Sequence, residues 1–126
     1  EFWRQEVKGM SIEGVRIPHA GWPGRADVEN LVFKVSFDKD KSVVHMGDAD
    51  PLVDHYLPYR QHWQENPTQL GFPPYWFYQS LQGRDILDEY MNIQKTIGIH
   101  VPVVTPNWLQ KQQRDYFNQP GEWRGF

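Results

Sequence analysis

Apolar and polar positions follow a two-residue period in the first third of the chain. Leu31, Phe33, Val35 and Phe37 alternate with Val32, Lys34 and Ser36, the repeat of a strand with two unlike faces. Residues 11–18 place Ile12, Val15 and Ile17 along another extended segment, and residues 42–46 form a short apolar strand. Between them, Asp38-Lys39-Asp40-Lys41 reads as a polar turn. The opening residues, Glu1 to Val7, read like the inside of a strand, so the chain is expected to begin in mid-domain, as a fragment would. Further on the period changes. Residues 51–64 read as helix or loop, with Pro58 arguing against one long helix. The aromatic run at 72–78 predicts a buried strand-like segment. Ile86, Leu87, Tyr90, Met91 and Gln94 share one face of a helix over 84–95. Residues 97–101 predict a short strand, and Thr105-Pro106 predicts the N-cap and first turn of a last helix reaching about Asn118. Strands first and alternating helix and strand later predict an α/β architecture, with helices covering a sheet.

Composition narrows the class. The 126 residues suffice for one modest domain. Hydrophobic residues make up 39% and charged residues 23%, which fits a soluble globular chain. The net charge is -3 and no block of Lys and Arg stands out, so a surface for nucleic-acid backbone is not expected. No apolar run is long enough to span a bilayer, and no signal-peptide pattern is present, although a leader removed ahead of Glu1 would leave no trace. There is no cysteine, which excludes disulfides and thiolate metal ligands without assigning a compartment.

Three ligand-type residues each close a predicted strand. The strand at 42–46 stops at Gly47-Asp48-Ala49-Asp50-Pro51, where glycine lets the backbone turn and places the Asp48 carboxylate at the strand tip. His100 lies between β-branched residues at the end of the strand at 97–101. His19 follows Ile17-Pro18 and precedes a Gly/Pro loop. Singly, each has an ordinary explanation: a turn aspartate, a hydrogen-bonded core histidine, a solvated loop histidine. Together they form a pattern, because neutral imidazole nitrogens and a carboxylate suit zinc and similar divalent metals.

In their order and spacing these residues resemble the C-terminal half of the metallo-β-lactamase superfamily, closest to its lactonase-like and uncharacterised hydrolase branch. The matching elements are His19, the run His45-Met46-Gly47-Asp48, and His100, with Pro74-Tyr75-Trp76-Phe77 resembling the stretch between the last two. The similarity spans most of residues 12–104. It implies an α/β chain that is the C-terminal half of a four-layer αββα sandwich, with residues 1–126 as one partial domain. It implies a hydrolase that activates water at a binuclear metal centre to cleave an ester, lactone, amide or phosphodiester bond of a small-molecule substrate. Asp48 would bridge the two ions as the catalytic carboxylate, and His19 and His100 would each complete one ion's shell. Zinc is the first expectation, with manganese or iron as alternatives. The family's His-x-His-x-Asp-His signature is absent, so the remaining ligands would come from the missing N-terminal half of the domain or from a partner chain.

His45, three residues before Asp48, is a candidate to orient a ligand from behind. Tyr75 and Trp76 are candidates to line the substrate pocket, against the plainer reading of core packing. His55 and His62 read as surface or packing residues, and Asp50 as a hydrogen-bond acceptor or cap rather than a ligand. Two competing expectations stand beside the hydrolase. One is a non-catalytic binding module that keeps the fold without the full metal site. The other is a self-sufficient small domain with a two-histidine, one-carboxylate site.

Overall fold

A computed structural model describes residues 2–38 and 40–125. It is an α/β arrangement of one seven-stranded mixed sheet and a few short helices. The strands are β1 (Phe2–Val7), β2 (Met10–Arg16), β3 (Leu31–Asp38), β4 (Lys41–His45), β5 (Thr68–Phe72), β6 (Ile93–Gly98) and β7 (Asp115–Tyr116). They lie in chain order across the sheet. β1 to β4 pair antiparallel, and β4 to β7 pair parallel. The change of direction at β4 follows from connection length. Short turns join β1 to β2 and β3 to β4, whereas the parallel pairs need crossovers, which carry the helices. Glu1 and Lys39 lie outside the described residues, so the expected opening strand and polar turn are seen only in part.

One face of the sheet is covered. Val15, Val32, Val44 and Met46 pack there against Tyr56, Trp63, Phe77, Ile86, Leu87 and Met91, all buried. Residues 53–65 provide part of that cover through two 3-10 turns, Val53–His55 and Leu57–Tyr59, and helix α1 (Arg60–Glu65). Pro58 lies in the second turn and prevents a single helix, as expected. The other face is formed by the remaining side chains of the alternation, and across the strands Trp3, Gly14, Phe33, His45 and Phe72 form one row. On this face Trp3 is 47% exposed, Leu31 48%, Phe33 41% and Phe37 49%. The C-terminal segment reaches this face at β5, where Phe117 stacks on Phe72.

Several sequence expectations need correction. The strand in the aromatic region is β5, residues 68–72, not 72–78. Pro73-Pro74 ends it, and Tyr75–Tyr78 form a 3-10 turn that buries Phe77 and Tyr78. The expected helix at 84–95 is α2 (Leu81–Asp85), started by the Ser80 side chain accepting from Gly83 N–H, followed by a π-turn over Ile86–Tyr90. The apolar periodicity is real, since Ile86, Leu87 and Met91 are all buried. The chain leaves the helix through Asn92, at φ 54°, and β6 begins at once. The expected strand at 97–101 therefore lies earlier. The last helix, α3 (Asn107–Lys111), has only five residues. Its N-cap is Pro106 rather than Thr105, because Pro106 is still extended at ψ 141°. It ends at Gln112, whose amide bonds Leu109 and Arg114 and turns the chain into β7.

A candidate metal centre at the strand ends

The C-terminal end of β4 meets the loop after β2 at one edge of the sheet. His19 and Ala49 form an isolated antiparallel bridge, with Ala20 N–H donating to Asp48 C=O at 2.7 Å and Asp50 N–H to Pro18 C=O at 2.9 Å. The third strand end arrives from β6. Ile99 N–H donates to Pro73 C=O and Tyr75 N–H to Ile99 C=O, both at 2.9 Å, which extends the parallel pairing as far as His100.

These pairings bring the three expected ligands together. Asp48 Oδ2 lies 3.3 Å from His19 Nε2, and Asp48 Oδ1 lies 3.1 Å from His100 Nε2. The two histidines therefore face different oxygens of one carboxylate. They do not converge on one point, and among the described residues no group of three or more His, Cys, Asp or Glu side chains is arranged around one ion.

Backbone geometry supports the Asp48 position. Gly47 has φ +59°, the left-handed region where glycine has no side chain to clash. The buried Asn30 spans this turn: its Nδ2 donates to Met46 C=O at 3.2 Å, and its Oδ1 accepts from Asp48 N–H at 2.9 Å. Nothing in the sequence marks Asn30, because its partners lie 16 and 18 residues away.

The two histidines are held differently. His19 Nδ1 lies 2.9 Å from its neighbour's Ala20 C=O. A carbonyl only accepts, so Nδ1 carries a proton, and the neutral tautomer consistent with this contact has its lone pair on Nε2. His100 has φ +62°, a left-handed conformation unusual for a residue with a side chain. Trp76 holds its ring: the two rings stack with centroids 6.1 Å apart, and Trp76 Nε1 donates to Ala49 C=O at 3.0 Å. Trp76 thus links the Asp48 turn to His100. Tyr75 packs edge-on to Trp76 and stacks on Trp108.

His45 points to the open face of the sheet beside Phe72. Its Nδ1 accepts from Gly47 N–H at 3.1 Å, so it is tied to the turn that carries Asp48. Desolvation lowers its pKa below the usual histidine value, the charge of nearby His100 lowers it further, and Asp48 opposes both. His55 was expected at the surface or in ordinary packing. Its side chain is only 11% exposed, and Nε2 is 3.3 Å from Asp50 Oδ2 without the angles of a hydrogen bond. His62 pairs with Glu13 at 3.2 Å, away from the strand ends.

No family model, curated protein or solved structure matches this chain. No helix among the described residues is long and apolar enough to cross a membrane.

Proposed function

We propose that the chain contributes half of a metal-dependent hydrolase site, in the manner of a metallo-β-lactamase C-terminal half. His19, Asp48 and His100 would hold the divalent metal, preferably zinc. The observation that carries this reading is the pairing of acceptors. With Nδ1 donating to Ala20 C=O, the neutral form of His19 would present its Nε2 lone pair to a carboxylate oxygen at 3.3 Å. Two acceptors at that distance need a proton or a cation between them. A second imidazole nitrogen faces the other oxygen at 3.1 Å, so both oxygens of the carboxylate carry an imidazole partner. Metal ions suit this donor set of two imidazole nitrogens and a carboxylate. The left-handed His100 backbone supports the same reading, since conformations of that cost cluster at functional sites.

A metal bound there would lower the pKa of a water and polarise the scissile bond. The residues of this chain would hold and orient it: Asn30 and Gly47 fix the Asp48 carboxylate, Trp76 fixes the His100 ring, and His45 steadies the turn. The remaining ligands would come from polypeptide packed on the open sheet face, whose row of Trp3, Phe33 and His45 leads to the site. A sheet or helix layer is the ordinary solution for such a face.

The test is zinc, manganese or iron uptake by the purified protein, read by metal analysis and by thermal shift. Uptake with an upward shift, both lost in Asp48→Ala, is the expected result. A protein that carries no metal and shows no shift with any of the three ions sinks the reading and favours the non-catalytic binding module. That alternative draws on the lack of a closed three-ligand group among the described residues.

A further inference from the structure

We propose that Asp50 is a positioning residue that sets the tautomer and aim of His19 through a single peptide group. The inference rests on the reading of His19 as a ligand. Asp50 Oδ1 accepts from Gly21 N–H at 3.1 Å and from Trp22 N–H at 3.3 Å. The Gly21 N–H belongs to the same peptide plane as the Ala20 carbonyl, and in a trans peptide the two point in opposite directions. That carbonyl faces His19 Nδ1 at 2.9 Å. A relay therefore runs from the Asp50 carboxylate across one rigid plane to His19 Nδ1, and through the ring to Nε2 at Asp48. A charged acceptor on the N–H strengthens the carbonyl as an acceptor, which favours the proton on Nδ1 and leaves Nε2 free.

The main-chain bonds between residues 18–20 and 48–50 do not fix this plane. They stop at Ala20, and the chain leaves through Gly21 at φ +93°, where glycine is unrestrained. The carboxylate supplies the missing constraint, and it is largely buried. Its side chain is 10% exposed, His55 Nε2 lies 3.3 Å from Oδ2, and the buried Tyr56 O–H donates to the Asp50 carbonyl at 2.8 Å. Trp22 closes the other side, edge-on to the His55 ring at 5.4 Å.

The experiment records ring nitrogen and proton correlations of the histidines in the uniformly 15N-labelled chain, first without metal and then with added Zn²⁺. The wild type should show His19 protonated on Nδ1. Asp50→Ala should mix the two His19 tautomers while leaving His100 unchanged, and should weaken the Zn²⁺ response of His19 by about tenfold, the lower end for groups that orient a ligand. Asp50→Asn keeps an acceptor oxygen toward Gly21 without the charge, so it should hold the proton on His19 Nδ1 more than Asp50→Ala does and less than the wild type. Where Asp50→Ala does not fold, Asp50→Ser, whose oxygen is too short to reach Gly21, carries the same reading. Unchanged His19 signals in a folded Asp50→Ala or Asp50→Ser protein overturn the proposal. The tautomer is read without metal, so a wild type that ignores Zn²⁺ refutes the metal reading and leaves the Asp50 result separately decided.

Discussion

Replacing Gly47 with alanine tests whether the turn that presents Asp48 is built as described. At φ +59° an alanine Cβ costs roughly 1–2 kcal/mol from backbone sterics alone. That Cβ would also run into Asn30 Oδ1 and lie 3.4 Å from Leu31 C=O. Asn30 is buried, and moving it breaks its bonds to Met46 C=O and Asp48 N–H. Each bond contributes about 1 kcal/mol net. The expected cost is therefore roughly 2–4 kcal/mol, a large part of a small domain's stability. Urea unfolding followed by tryptophan fluorescence measures it by linear extrapolation. A double-mutant cycle separates the two causes. With Asn30→Ala already in place the collision is gone, and Gly47→Ala should cost only its backbone share, leaving a coupling of about 1–2 kcal/mol. A Gly47→Ala protein within about 0.5 kcal/mol of wild type, the range of ordinary surface changes, refutes the reasoning. Equal costs in both backgrounds would refute the role given to Asn30.

Burial pushes the Tyr78 hydroxyl up to about 12, with its O–H donating to Asp115 C=O at 2.9 Å. A folded pKa above the unfolded value of about 10 means that stability is intact below pH 10 and falls as pH rises toward 12, by up to about 2–3 kcal/mol. Tyr78→Phe should remove that part of the alkaline loss; identical slopes of urea midpoint against pH in both proteins would count against it. For His45, a titration followed by NMR should show a midpoint below 6.5, moving upward in His100→Gln because a neighbouring positive charge is removed. The depressed value means that stability is present above pH 6.5 and is lost as pH falls below it; an unchanged midpoint in His100→Gln would separate the two rings. Lys34→Met should cost about 1–3 kcal/mol by chemical denaturation, because the Lys34 ammonium is buried and donates to Asn66 and Pro67 carbonyls that would lose their partner. A cost near zero would mean that water replaces the ammonium freely.

What the sequence disclosed follows the range of the forces involved. β2, β3 and β4 were legible as strands from their two-residue period, but the period did not say which face is covered: in β3 Val32 and Lys34 are buried while Leu31, Phe33 and Phe37 stay exposed. β5 was not legible as a strand: Thr68, Leu70 and Gly71 are buried in the middle of the sheet, and a Thr-Gln-Leu-Gly-Phe run has no two-residue contrast. The aromatic run drew the eye instead, and its rings pack around a 3-10 turn rather than along a strand. The helix over 84–95 was legible in its apolar face but not in its end. Asn92 stops it by adopting a left-handed conformation, which asparagine tolerates but does not announce.

The same distinction explains the site. His19, Asp48 and His100 could be picked out because each ends a strand, and a strand end is a local event visible in a few residues. Their meeting on one carboxylate could not be read from pattern, because His19 and His100 lie 29 and 52 residues from Asp48 along the chain. The residues that hold them are silent for a further reason. Asn30 gave no sign and Asp50 was legible only as an acceptor without its partners, because both act through hydrogen bonds to backbone groups, which every residue carries. Such groups become visible only when the backbone is traced.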